Sequence, residues 1–101
     1  MSKYAYILVF DRDDNLDYVE IHKRITEMSS LFNWFHYIRS SYILISSQQS
    51  THQFIEEIRA VIGMEKQFLL MRVSLEEGDY NGWLPTDAWD WIREQYKELS
   101  K

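Results

Sequence analysis

Tyr4-Ala5-Tyr6-Ile7-Leu8-Val9-Phe10 carries apolar side chains on both of its alternating faces. Successive side chains of a strand point to opposite sides. Tyr4, Tyr6, Leu8 and Phe10 therefore face one way, and Ala5, Ile7 and Val9 the other. A strand that is apolar on both sides belongs inside a sheet covered on both faces. The run ends at Asp11-Arg12-Asp13-Asp14, too short for a bilayer and without a small-residue cleavage site. It reads as a central strand, and the chain as cytoplasmic.

Working outward, Asp13, Asp14 and Asn15 offer side-chain acceptors for a helix start. Tyr18, Ile21, Ile25 and Met28 follow at spacings of three and four, with Leu16 and Val19 widening the stripe, which predicts a helix over 15–29. Ser29-Ser30 helps to end it. Strands are expected over 34–39 and 42–46, with Ser40-Ser41 between them as a two-residue hairpin. That pair lacks the Asn-Gly or Asp-Gly signature, so the turn type stays open.

Ser50 and Gln53 have the spacing of a capping box. Phe54, Ile55, Ile58, Val61 and Ile62 form the next helical stripe, with Gly63 at its C-cap. Residues 67–75 read as a strand that is again apolar on both faces. After a loop over 76–84, Pro85 suits the first position of a helix over 86–98. Trp89, Ile92, Tyr96 and Leu99 share one face of that helix, and Trp91 points elsewhere. In the preceding loop, Trp83 and Leu84 look like anchors that clasp the helix to the sheet.

The order β-α-β-β-α-β is the split βαβ pattern. It predicts an α+β fold, a ferredoxin-like antiparallel sheet with an additional C-terminal helix. Right-handed crossovers put the first two helices on one face. The other face is also apolar, so the C-terminal helix, a second copy of the chain, or both must cover it. The chain, residues 1–101, is read as one domain, without repeats or linkers.

Composition narrows the chemistry. Hydrophobic residues make up 46% and aromatics 16%, enough for a bulky core and for apolar surface left to a partner. Cysteine is absent, which excludes disulfides and thiolate zinc sites. The formal net charge of −5 opposes a broad polyanion-binding face, though not a contact bridged by a metal. No Gly-x-Gly-x-x-Gly, Walker loop, Gly-x-Ser-x-Gly elbow, His-x-His or His-x-x-x-His is present.

Three places could carry function. Asp11 ends the first strand, where a carboxylate is well placed for a metal or a proton. The turn between the second and third strands falls at the same end of the sheet, bringing Arg39, Ser40 and Ser41 into reach. The same acidic run also suits a helix start on electrostatic grounds alone. His36, inside the second strand, has the chemistry of a general base or ligand, and equally of a packed, hydrogen-bonded histidine. His22 and His52 stand isolated in sequence. The third place is the 79–85 loop, whose bland reading is the clasp described above. Asp11, Ser40 and His36 are the candidate catalytic residues, and Asp11 is the candidate metal ligand.

Three stretches carry a family resemblance. They are Tyr6-Ile7-Leu8-Val9-Phe10-Asp11, the hairpin segment 34–44 with its Trp34-Phe35-His36-Tyr37, and Asp79-Tyr80-Asn81-Gly82-Trp83-Leu84-Pro85 followed by Ala88-Trp89-Asp90-Trp91-Ile92. In these the chain resembles small bacterial proteins of the SinR family, relatives of the small CRISPR-associated spacer-acquisition subunit and of virulence-associated protein D. The resemblance implies a homodimer. In the nuclease-like relatives the aspartate ending the first strand meets its twin across the two-fold axis, a role that falls to Asp11 here. Two such carboxylates would hold Mg²⁺ and activate water on a phosphodiester, an RNA endonuclease. The resemblance is equally met by a non-catalytic homodimeric binding or adaptor protein in a defence or toxin–antitoxin-like setting. A third possibility is an acidic regulator that competes for a basic partner.

Overall fold

The computed structural model describes residues 2–11, 18–63 and 66–100. The elements are β1 (Tyr4–Phe10), α1 (Tyr18–Thr26), β2 (Leu31–Ile38), β3 (Ser41–Ser46), α2 (Thr51–Ile62), β4 (Phe68–Arg72) and α3 (Thr86–Leu99). The fold is α+β, with three helices and an open four-stranded sheet ordered β2-β3-β1-β4. Every pairing is antiparallel. This arrangement is compatible with a ferredoxin-like fold.

The two apolar faces of β1 are used as its alternation requires. On one side Tyr6, Leu8 and Phe10 pack with Tyr42, Leu44 and Leu70 beneath α1 and α2, which contribute Ile21, Ile25, Phe54 and Ile58. Tyr6 meets Phe54 edge to face at 5.0 Å, and both are fully buried. On the other side Ala5 and Ile45 pack with Leu75 and with Ile92 of α3. Cross-strand pairs build both layers. Leu8 sits between Tyr42 and Leu70, while Ile7 sits between Ile43 and Met71.

α3 covers only part of its face. Its Trp89, Trp91 and Leu99 lie over the Ala5–Ile45 region. Beyond it, Val9 is 38%, Leu69 55% and Met71 49% exposed.

Several boundaries differ from the sequence reading, each for a local reason. The expected start of α1, with Asp13, Asp14, Asn15 and Leu16, lies outside the described residues. Its C-terminal end comes at Thr26 rather than 29, where Thr26 Oγ1 donates to the Lys23 carbonyl at 3.0 Å. The chain then tightens to a three-residue turn through Met28 N–H to Ile25 O. β2 starts three residues early, at Leu31 rather than 34, because Leu31 pairs with Ser46 ahead of a register shift before Asn33. The hairpin turn falls on Arg39-Ser40, one residue before the expected pair.

α2 is capped by Ser50, whose side chain accepts from Gln53 N–H. Gln53 reaches back to Gln49 N–H instead of the cap residue, so the box is displaced by one. Gly63 at the C-cap has φ 110°, which disfavours a side chain there. β4 stops at Arg72, and Val73 continues only through one bond, to the Ala5 carbonyl. Pro85 occupies the N-cap of α3, not its first turn.

The clasp works with different residues from those expected. Trp83 is 98% exposed and anchors nothing. Leu84, half-buried, packs beside Tyr80 and Trp89, and Trp89 Nε1 donates to the Leu84 carbonyl at 3.1 Å. Trp91, read as lying off the face of Trp89 and Ile92, packs on Phe35 with ring centroids 5.1 Å apart. Among the described residues no helix is long and apolar enough to cross a membrane.

Candidate functional site

Asp11 lies at one end of the sheet, fixed by backbone bonds on both sides. Its own N–H donates to Gln67 O, and the preceding Phe10 N–H donates to Ser40 O. The turn of β2 and β3 and the entry to β4 therefore flank it. The Asp11 side chain is exposed, and alternation puts it on the α3 side of the sheet with Val9. Val9, Asp11 and Leu69 line one shallow hollow. Among the described residues no three histidine, aspartate or glutamate side chains gather closely enough to hold a metal. Mg²⁺ keeps most of its waters and can be held by one or two carboxylates. For Asp11 the second carboxylate would have to come from another chain.

His36 faces the opposite side, and there the structure assembles a cluster. β2 alternates Trp34 and His36 toward α1, and Phe35 and Tyr37 toward α3. This follows from Trp34 pairing with Leu44, from the His36 contact with Tyr42 and from the Phe35 contact with Trp91. Tyr42 of β3 lies beside His36, ring on ring, 4.0 Å between centroids and 6° from parallel. His22 descends from α1, one residue after buried Ile21. It stands 5.7 Å from His36 and meets Trp34 edge to face at 4.9 Å. The cleft lined by His22, His36 and Tyr42 has a volume of about 360 Å³, with Phe10, Tyr18 and Arg39 also in its lining.

Hydrogen bonds fix the proton positions. His36 Nδ1 lies 3.0 Å from the Ser41 carbonyl, which can only accept, so Nδ1 carries a proton. Burial pushes the Tyr42 phenol up to about 12, so it stays protonated. Its proton needs an acceptor, and His22 Nδ1 lies 2.7 Å away. His22 then carries its own proton on Nε2. The two rings are left unlike, with an N–H donor at His22 Nε2 and a ring nitrogen uncommitted to the backbone at His36 Nε2. Such a pair can hold a polar ligand or pass a proton.

The sequence candidates are thus divided between two sides of the sheet. Asp11 and Ser40 are close through the backbone of neighbouring strands, while His36 works with His22 and Tyr42. Sequence reading missed the last two. His22 looked isolated because its partners are 14 and 20 residues away on other elements. A usable signal was present: Tyr18 and His22 are four apart on one helix, so they share a face.

Comparison with family models, with curated proteins and with solved structures finds no match to the chain.

Proposed function

We propose that the chain is a ferredoxin-like homodimeric binding protein of the spacer-acquisition-subunit type, joined through the part of the sheet that α3 leaves open. One observation carries this reading. Ile7 pairs with Met71 and Val9 with Leu69, so four apolar side chains form a strip across β1 and the edge strand β4. Exposed strips of this kind mark contact surfaces. An unpaired edge beside it adds backbone donors and acceptors that a second chain can use.

The oligomeric state tests this. Light scattering on the eluting protein is expected to give twice the chain mass at micromolar concentration. Leu69→Glu, at an exposed site, should leave a folded monomer. A monomeric wild-type protein, or an unchanged Leu69→Glu dimer, overturns the reading.

A second reading, the Mg²⁺-dependent endoribonuclease, is supported by Asp11 sharing a hollow with Val9 and Leu69. Dimerisation there would bring two Asp11 carboxylates to one rim. Cleavage of RNA that needs Mg²⁺ and is lost in Asp11→Ala, with the dimer intact, is the expected result. Cleavage that persists in Asp11→Ala places the activity elsewhere.

A further inference from the structure

We propose that the cleft between α1 and the β2–β3 hairpin binds a small molecule made of a planar ring and a phosphate, a nucleoside monophosphate in chemical class. The site is separate from the strip and from Asp11, which lie on the other face of the sheet.

The walls select a ring. Tyr18 stacks on Phe10 at 6.2 Å and 24°, and Phe10 on Tyr42 at 6.3 Å and 21°. His36 then continues the series on Tyr42 at 4.0 Å. Four rings therefore stand in near-parallel order along the cleft. Phe10 and Tyr42 are buried within the series, so a planar ligand lies against the half-buried outer rings, Tyr18 or His36, and gains offset stacking there, which contributes beyond area burial. His22 is tilted 32° from the Tyr42 plane, so it closes the cleft instead of extending the stack.

The charge of the lining selects an anion. The protein carries a net charge of −5, yet the described residues lining this cleft include Arg39 and two imidazoles and no carboxylate. Arg39 is exposed and has no ion-pair partner among the described residues. A guanidinium presents a planar fork suited to phosphate oxygens. His22 Nε2–H adds a donor whose direction is set by the Tyr42 bond at 2.7 Å. His36 Nε2, with Nδ1–H tied to the Ser41 carbonyl, is left as an acceptor for an N–H or O–H of the ligand's ring portion.

Size and charge favour a small ligand over a polymer. A volume of about 360 Å³ falls in the range of small-molecule sites. Among the described lining residues a polyanion would meet one guanidinium, against the net charge of −5 carried by the chain.

Calorimetric titration with adenosine monophosphate, adenosine and inorganic phosphate tests the proposal. Adenosine monophosphate should bind at least tenfold more tightly than either of the others. Arg39→Gln, at an exposed position, should keep its thermal midpoint and bind adenosine monophosphate no better than adenosine. His36→Ala should weaken adenosine itself, because it shortens the ring series. The proposal is overturned if the three probes bind alike or not at all at millimolar concentration. It is also overturned if Arg39→Gln binds the nucleotide unchanged, or if only an RNA oligonucleotide binds.

Discussion

His36 lies flat on Tyr42, 6° from parallel, while the phenol of Tyr42 points to His22 Nδ1 at 2.7 Å. Tyr42 therefore holds one histidine by its face and the other by its hydroxyl. Its ring is buried against Phe10 and Leu8, so neither role can be replaced by solvent.

Tyr42→Phe separates these roles. The ring stack should survive, and the hydrogen bond to His22 should be lost, at a cost of about 1 kcal/mol. Urea unfolding measures the cost. Nitrogen chemical shifts of the His22 ring should show its proton no longer confined to Nε2, whereas those of His36 should keep the Nδ1–H pattern set by Ser41.

Alkaline stability follows from the same residue. Burial holds the Tyr42 phenol well above its ordinary value, at about 12, and burial likewise raises Tyr6. Unfolded, both phenols ionise near 10. The folded state then binds protons that the unfolded state has released, so stability falls as pH rises from about 10 through 12. Below 10 this contribution is complete and flat. Midpoints from urea unfolding across that window should decline, and the tyrosine absorbance titration should show late phenols at Tyr6 and Tyr42, joined by Tyr37, which its hydrogen bond to Asp87 also raises.

The two packing layers should respond differently to truncation. Phe54→Ala removes a fully buried ring set against Tyr6, at a cost of about 3–5 kcal/mol. Ile92→Ala, in the smaller cluster under α3, should cost less than Phe54→Ala and chiefly loosen that helix. Denaturant midpoints and helix-specific amide exchange distinguish the outcomes. Equal costs with α3 undisturbed would contradict this division.

Trp83, at 98% exposure, should contribute almost nothing to stability. Trp83→Ala is expected to fall within about 0.5 kcal/mol of the parent. In the parent, a soluble quencher should reach Trp83 most readily, and the variant should keep only the smaller quenchable share from Trp34, which is 38% exposed. Trp89 and Trp91, packed against Tyr80 and Phe35, should be shielded from the quencher.

What could be read from the chain depended on how local the cause was. β1 was legible because seven consecutive residues are apolar on both alternating faces and need no outside information. The α2 stripe and Ser50 cap were legible for the same reason, since both depend on neighbours within a turn. The start of β2 was not, because Asn33 disfavours a strand and only pairing of Leu31 with Ser46 extends it. Trp83 was misjudged because an aromatic beside a helix start can fall on either side of it. His36 was visible as a residue. Its partners were not, because the contact joins α1, β2 and β3, and no short-range pattern encodes three elements meeting.

The partial cover given by α3 also has a kinetic meaning. The cluster beneath it and the cluster beneath α1 and α2 have no buried residue in common. A segment held by its own small cluster can open while the rest stays folded. When α3 lifts, Ala5 and Ile45 join Ile7, Val9, Leu69 and Met71 on one uninterrupted surface. The brief open form, more than the closed one, then governs how readily the protein self-associates on heating and where a protease first cuts.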